Sequence, residues 1–255
     1  MADYLAALKP LALAQFYGRI ADGVDANKGA LSVSLAALLM RQWLKNRDPK
    51  ALFEFDAPDH LKDRAEVLET LAFQRRVLLT QEKARFTGGV TKWAGIVPRI
   101  VGNPPFPKWD AKSMLTMSYE SLVEMPLRYQ LTGDDADRDI LYGLRGFQLK
   151  SEVVVLSGGS AANGNLKILF QTYTAQASDR YDWNYSEHIT VPNPDFGSKD
   201  AGAVAPDQRK IVVFHKHAKR LEDAKLAAPY DLRTRPWPVD AGLRQSAEVP
   251  TTMPK

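Results

Sequence analysis

The sequence predicts an α+β protein, with a helical N-terminal half followed by a mostly antiparallel β region. Three observations predict this. As far as about residue 86, apolar residues recur at helical spacing. From Gly143 onward they alternate with a period of two. Between these lies "TGGVTKWAGIVPRIVGNPPFPKWD", residues 87–110, whose Gly and Pro content suits a linker or an irregular crossing. The boundaries drawn from this change of texture are 1–86 and 87–255.

The elements follow in order. A first helix is expected over Leu5–Ala21. A second covers Ala30–Asn46 and is stopped by Asp48-Pro49. A third begins at Pro58-Asp59, where an Asp ahead of an apolar-periodic run makes a cap. Its Leu61, Val67, Leu68, Leu71, Leu78 and Leu79 share one face, and charges fill the other. "MSYESLVEMPLRYQ", residues 117–130, reads as a further short helix that ends near Leu131-Thr132-Gly133.

The β region opens with "GFQLKSEVVVL", residues 146–156. Its Phe147, Leu149, Ser151, Val153 and Val155 fall on one side. After the turn "GGSAANG" the chain returns as "NLKILFQTY", with Leu166, Ile168 and Phe170 alternating, which makes a long hairpin. "KIVVFHKH", residues 210–217, is expected as a third strand, and "ITV" after His188 as a short one. The tail "RTRPWPVDAGLRQSAEVPTTMPK" is Pro-rich and reads as extended or partly disordered. No internal repeat is present.

Composition narrows the function. The 255 residues include no cysteine, which excludes thiol catalysis and thiolate metal sites. The net charge is +4, with the basic residues dispersed: Arg75 and Arg76, Lys216, Lys219 and Arg220, Arg233 and Arg235. There is no long basic run and no RNA-binding aromatic signature, so no nucleic-acid partner is expected. The charge does suit an anionic membrane surface or a phosphorylated ligand. "MADYLAALKPLALAQF" opens with an acid and is interrupted by Lys9-Pro10, unlike a conventional leader. "ALSVSLAALLMRQWL", residues 30–44, is too short to span a bilayer and contains Arg41. The chain is therefore expected to be made in the cytoplasm without such a leader.

One stretch stands apart. "SDRYDWNYSEHIT", residues 178–190, carries Asp179, Tyr181 and Asp182, then His188 after five residues. Turns are commonly built from Gly, Pro, Asn and Ser instead. Two carboxylates this close repel, so one holds a raised pKa unless a cation sits between them. Such a pair can bind Mg²⁺, which takes one or two carboxylates plus water and substrate phosphate oxygens. A histidine can move protons near neutral pH. On spacing alone two readings stand: a site for phosphoester or pyrophosphate cleavage, and an Asx-turn with an aromatic plug.

The segment resembles the signature of colicin M-type bacteriocins, in which Asp-x-Tyr-Asp is followed after five residues by His-Arg. Asp179, Tyr181, Asp182 and His188 match it. "LRGFQLKSEVVVL" and "GNLKILFQTYTAQASDRYD" have the shape of the family's upstream hairpin, and the resemblance covers roughly residues 140–200. It implies that 87–255 is a colicin M-like catalytic domain; it does not extend through 1–86, which is expected instead to be a delivery or docking region. It further implies a toxin that hydrolyses lipid II between lipid and pyrophosphate, with Mg²⁺, in the periplasm of a target bacterium. Asp179 is then the essential carboxylate, as metal ligand or activator of water, and Asp182 assists it, with both as the metal-holding residues. Tyr181 orients the loop and His188 transfers the proton. The implied partners are lipid II, an immunity protein and a secretion-system component, with type VI secretion as a fitting route. The sequence departs from the pattern at Ile189, where the family has arginine. Arg180, Lys210, His215, Lys216 and His217 are candidates to bind substrate phosphate in its place. His215 and His217 would share one side of the expected strand. Ile189 also leaves open a non-catalytic relative that acts as an adaptor or structural component of a secretion system.

Overall fold

The computed structural model describes residues 3–80, 99–100, 114–125, 132–160, 165–183 and 188–249. It is an α+β structure with a mostly antiparallel sheet. The helices are α1 (Pro10–Ala26), α2 (Leu35–Lys45), α3 (Asp59–Lys62), α4 (Ala65–Thr80), α5 (Asp135–Gly143) and α6 (His215–Asp223). The strands are β1 (Leu52–Phe55), β2 (Arg99–Ile100), β3 (Met114–Glu124), β4 (Gly146–Ser160), β5 (Leu166–Tyr181), β6 (His188–Pro192), β7 (Lys210–Phe214), β8 (Tyr230–Thr234), β9 (Trp237–Pro238) and β10 (Ala247–Val249). The larger sheet has the order β1-β8-β5-β4-β3-β2, with β9 and β10 also on β5; β6 and β7 form a separate pair.

The chain divides into two compact units, each built from three stretches of sequence. One comprises Met1–Glu54, Leu127–Arg145 and Asp179–Leu232; the other comprises Phe55–Pro126, Gly146–Ser178 and Arg233–Lys255. β5 belongs to the second unit through Ser178 and to the first from Asp179.

In the second unit, α4 packs on β3 and β4. β3 and β4 pair without interruption from Met114↔Leu156 to Glu124↔Gly146. The residues expected to face inward on β4, Phe147, Leu149, Ser151, Val153 and Val155, are all buried. β5 carries one extra residue, Gln171, because Val155 pairs with Phe170 but Val154 with Thr172. The bulge changes the parity of the core face. Inward positions are even-numbered at Leu166 and Ile168, and odd-numbered from Tyr173 through Ala175 and Ala177. Gln74 crosses from α4 to the sheet, its amide donating to Ser121 Oγ (2.9 Å) and to the Leu149 carbonyl (3.0 Å).

In the first unit, α1 and α2 pack together, α2 lies on α5, and α1 touches α6 and β6. α2 begins at a buried carboxylate. Asp139 of α5 accepts from Ser34 Oγ (2.5 Å), from the Leu35 N–H (2.6 Å) and from the Ala36 N–H (3.1 Å), while Ser34 caps the helix by accepting from the Ala37 N–H. The negative charge thus sits where the first N–H groups of a helix need acceptors. Gly143 permits this approach, since a Cβ there would stand 3.3 Å from the Ala36 nitrogen. The long β6–β7 connection is closed from within. Buried Asn193 donates to the carbonyls of Val204, Ala205 and Gln208, and Asp195 takes a two-pronged pair from Arg19 at 2.8 and 2.9 Å.

Several expectations are corrected. The first helix starts at Pro10 rather than Leu5, because proline is favoured at the first helical position, where its missing N–H costs nothing. It also runs on to Ala26. The second helix starts after the Ser34 cap, not at Ala30. The third is two helices, α3 and α4, separated by Asp63 and Arg64; its expected continuation past Thr80 lies outside the described residues. The helix expected at 117–130 is strand β3 over its described part, with Met117, Tyr119, Ser121 and Val123 buried in alternation. The third strand of the β region ends at Phe214, and His215 opens helix α6. The tail contributes the end of β8, then β9 and β10. The expected irregular crossing at 87–110 lies outside the described residues, apart from β2.

Candidate functional site

The motif sits at the end of β5, entirely within the first unit. Along a strand, alternate residues share a face. Asp179 and Tyr181 therefore lie on the inward side and Arg180 on the other, and the structure agrees: Tyr181 is buried, Asp179 is half-buried and Arg180 is exposed. Asp182 is exposed just beyond the strand.

The aromatic members are held by partners that are themselves anchored. Tyr181 stacks on Tyr230 of β8 with ring centroids 5.4 Å apart and planes 17° from parallel. The Tyr230 hydroxyl donates to the Leu39 carbonyl of α2 at 2.8 Å. Trp183 follows Asp182 and meets Tyr17, Trp43, Tyr181 and His215 at centroid distances of 5.7, 5.4, 6.2 and 4.8 Å. Trp43 is fixed in turn by donating its indole N–H to Glu222 Oε1 at 3.1 Å, and Glu222 pairs with Lys219 at 2.8 Å. The segment leading into β8 is tied down by Asn46, whose amide donates to the Ala228 and Pro229 carbonyls.

Burial pushes the Asp179 carboxyl up to about 7. The charge of Asp182 acts in the same direction, and the Arg180 backbone N–H opposes both. The two acids are therefore electrostatically coupled, and one of them can exchange a proton near neutral pH. A cation between them would relieve the repulsion. Among the described residues no group of three or more His, Asp or Glu side chains gathers in a metal-holding arrangement. Mg²⁺ takes one or two carboxylates completed by water and substrate oxygens, and Asp179 and Asp182 are the residues that would supply them.

His188 is exposed at the head of β6, opposite Phe214 in the β6–β7 ladder, with ring centroids 5.7 Å apart. His217 lies 5.7 Å from the same Phe214 ring, and His215 lies against Trp183. Three of the four histidines thus gather around Phe214 and Trp183. Ile189 pairs with Val213 and, with buried Val191, points to the inner side of β6. An arginine at 189 would put its charge on that packed face, away from the side that carries His188.

The phosphate candidates are placed as follows. Arg180 pairs with Asp231 at 2.7 Å and donates to the Pro49 carbonyl at 3.1 Å, on the face opposite Asp179. Lys210 pairs with Pro192 at the far end of the ladder from His188, about 13 Å along the strand. His215 and His217 do not share a strand face, because they open α6. His217 is buried and contacts Asp3 at 2.9 Å, and burial lowers its pKa. Lys216 is exposed, pairs with Asp3 at 2.7 Å and lies 4.9 Å above the Phe214 ring.

No family model, curated protein or solved structure matches this chain.

Sequence reasoning missed Trp183, Trp43, Tyr17 and Tyr230 as the framework of this region. Trp183 lay inside the quoted stretch, but its partners outside that stretch come from α1, α2 and α6, and no local pattern connects them. No helix among the described residues is long and apolar enough to cross a membrane.

Proposed function

We propose that this protein is an antibacterial toxin that hydrolyses lipid II between its lipid and its pyrophosphate, as the resemblance to colicin M-type bacteriocins implies. The observation that carries the reading is Asp179. Its carboxyl is half-buried at a strand end, and burial, with the charge of Asp182, pushes its pKa up to about 7. A general base works best with a pKa near the operating pH.

In this reading Asp179 takes the proton of the attacking water. Asp182 supplies a second negative charge at the same strand end, so that the two acids could hold Mg²⁺. The metal, when bound, would neutralise charge on the diphosphate. Tyr181 keeps Asp179 in place by its stack on Tyr230. His188, exposed at the head of β6, donates a proton to the leaving group. Of the cations named from the sequence, Lys216 is exposed and lies next to His215 in the chain; it is the one we assign to substrate phosphate in place of an arginine at 189.

Location of toxicity tests this reading. The scissile bond is reached from the periplasm, so the chain should lyse cells when fused to a periplasmic leader and spare them when kept in the cytoplasm. Equal toxicity in both compartments contradicts it.

A second reading is favoured by one observation. Position 189 lies on the packed side of β6 and is apolar, which suits a non-catalytic adaptor of a secretion system. That reading expects a periplasmic fusion that is harmless and a stable complex with a secretion component.

A further inference from the structure

The acidic strand end is followed directly by a residue with an unusual setting. Trp183 is 6% exposed. Its ring meets Tyr17 edge-on at 87°, Trp43 at 50°, Tyr181 at 88° and His215 at 87°. These partners come from α1, α2, β5 and α6, so one side chain joins four elements of the unit. The Trp183 indole N–H is buried and makes no hydrogen bond among the described residues. Its ring contacts therefore help set where Trp183 sits, and edge-to-face pairs have a preferred geometry.

We propose that Trp183 is the positioning residue of the acidic turn: its indole, gripped by α1, α2 and α6, fixes the backbone that carries Asp182. Tyr181 anchors the strand on one side of Asp182, and Trp183 anchors it on the other. The backbone of Asp182 is thus held on both sides by buried rings. The same indole meets His215 at the start of α6. The inference rests on the reading of Asp179 and Asp182 as the reactive pair, but the geometry it predicts can be measured without any substrate.

The test compares Trp183→Leu, which removes the edge-to-face contacts, with Trp183→Phe, which keeps a ring in the same place. Hydrogen–deuterium exchange is followed by peptide on the full chain, and lipid II cleavage is followed on the same preparations. Trp183→Leu should speed exchange in peptides covering 179–183 and leave those of β4 unchanged. Its kcat should fall by about 100-fold, the order expected for a displaced reactive group, with KM held within a few-fold. Trp183→Phe should restore most of both. Unchanged exchange over 179–183 in the leucine variant overturns the proposal. So does exchange that rises equally everywhere, which would make Trp183 an ordinary core residue. If the leucine variant does not fold, Trp183→Phe decides alone: a kcat loss without faster exchange over 179–183 overturns the proposal. If the parent chain cleaves no lipid II while exchange behaves as stated, the positioning role stands and the proposed reaction fails.

Discussion

Tyr181 stacks on Tyr230 with ring centroids 5.4 Å apart, and the Tyr230 hydroxyl donates to Leu39. The inward tyrosine of the acidic motif is thus seated on a ring that α2 holds by a hydrogen bond. Tyr181→Ala should cost about 3–5 kcal/mol of stability, as expected when a buried aromatic is truncated. Tyr230→Phe, which keeps the stack and loses one hydrogen bond, should cost about 1 kcal/mol. Urea denaturation midpoints of the two variants check the contrast.

Asp179 makes stability depend on pH. Its folded pKa of about 7 lies above its value in the unfolded chain. Between roughly pH 4 and pH 7 the unfolded chain has released this proton and the folded chain still holds it. Stability should therefore fall as pH rises through that window and level off above it, with on the order of 4 kcal/mol between the limits. Asp179→Asn should remove this decline, leaving the variant more stable than the parent at pH 8 but not at pH 4. Chemical denaturation across pH 4–8 measures both.

Mg²⁺ should oppose the same repulsion. At pH 8, magnesium at about ten times its Kd should stabilise the parent by about 1.4 kcal/mol. It should leave Asp179→Asn and Asp182→Asn unaffected. Thermal melts with magnesium and with chelator provide the comparison.

Asp139 is buried and gathers three donors at the start of α2. Asp139→Ala strands the Leu35 and Ala36 N–H groups and should cost about 3 kcal/mol or more. Ser34→Ala removes one cap and should cost about 1 kcal/mol. Denaturant midpoints rank the two.

The hairpin was legible because its apolar residues alternate, and both faces of β4 follow from that alternation. The bulge at Gln171 was not, since one extra residue changes parity without altering composition. Yet that bulge decides which side Tyr173, Ala175 and Ala177 occupy: counted on from Ile168 without it, all three would point outward. Strand β3 was misread because "SYESLVE" also fits helical spacing, and only its pairing with β4 selects the strand. Helix α5 had a local signal, a reciprocal cap between Asp134 and Asp137. Helix α6 had another, since Ala218 and Leu221 lie three apart on its buried side. The four residues of the site motif were visible as a pattern. The aromatic framework beneath them was not, because it is assembled from distant parts of the chain.

The most direct measurement incubates purified protein with lipid II and Mg²⁺ and identifies the products by mass. The parent should release undecaprenol and the pyrophosphoryl disaccharide-peptide, and a folded Asp179→Asn variant should release neither. Intact lipid II after incubation with the parent, or equal cleavage by Asp179→Asn, would contradict the account.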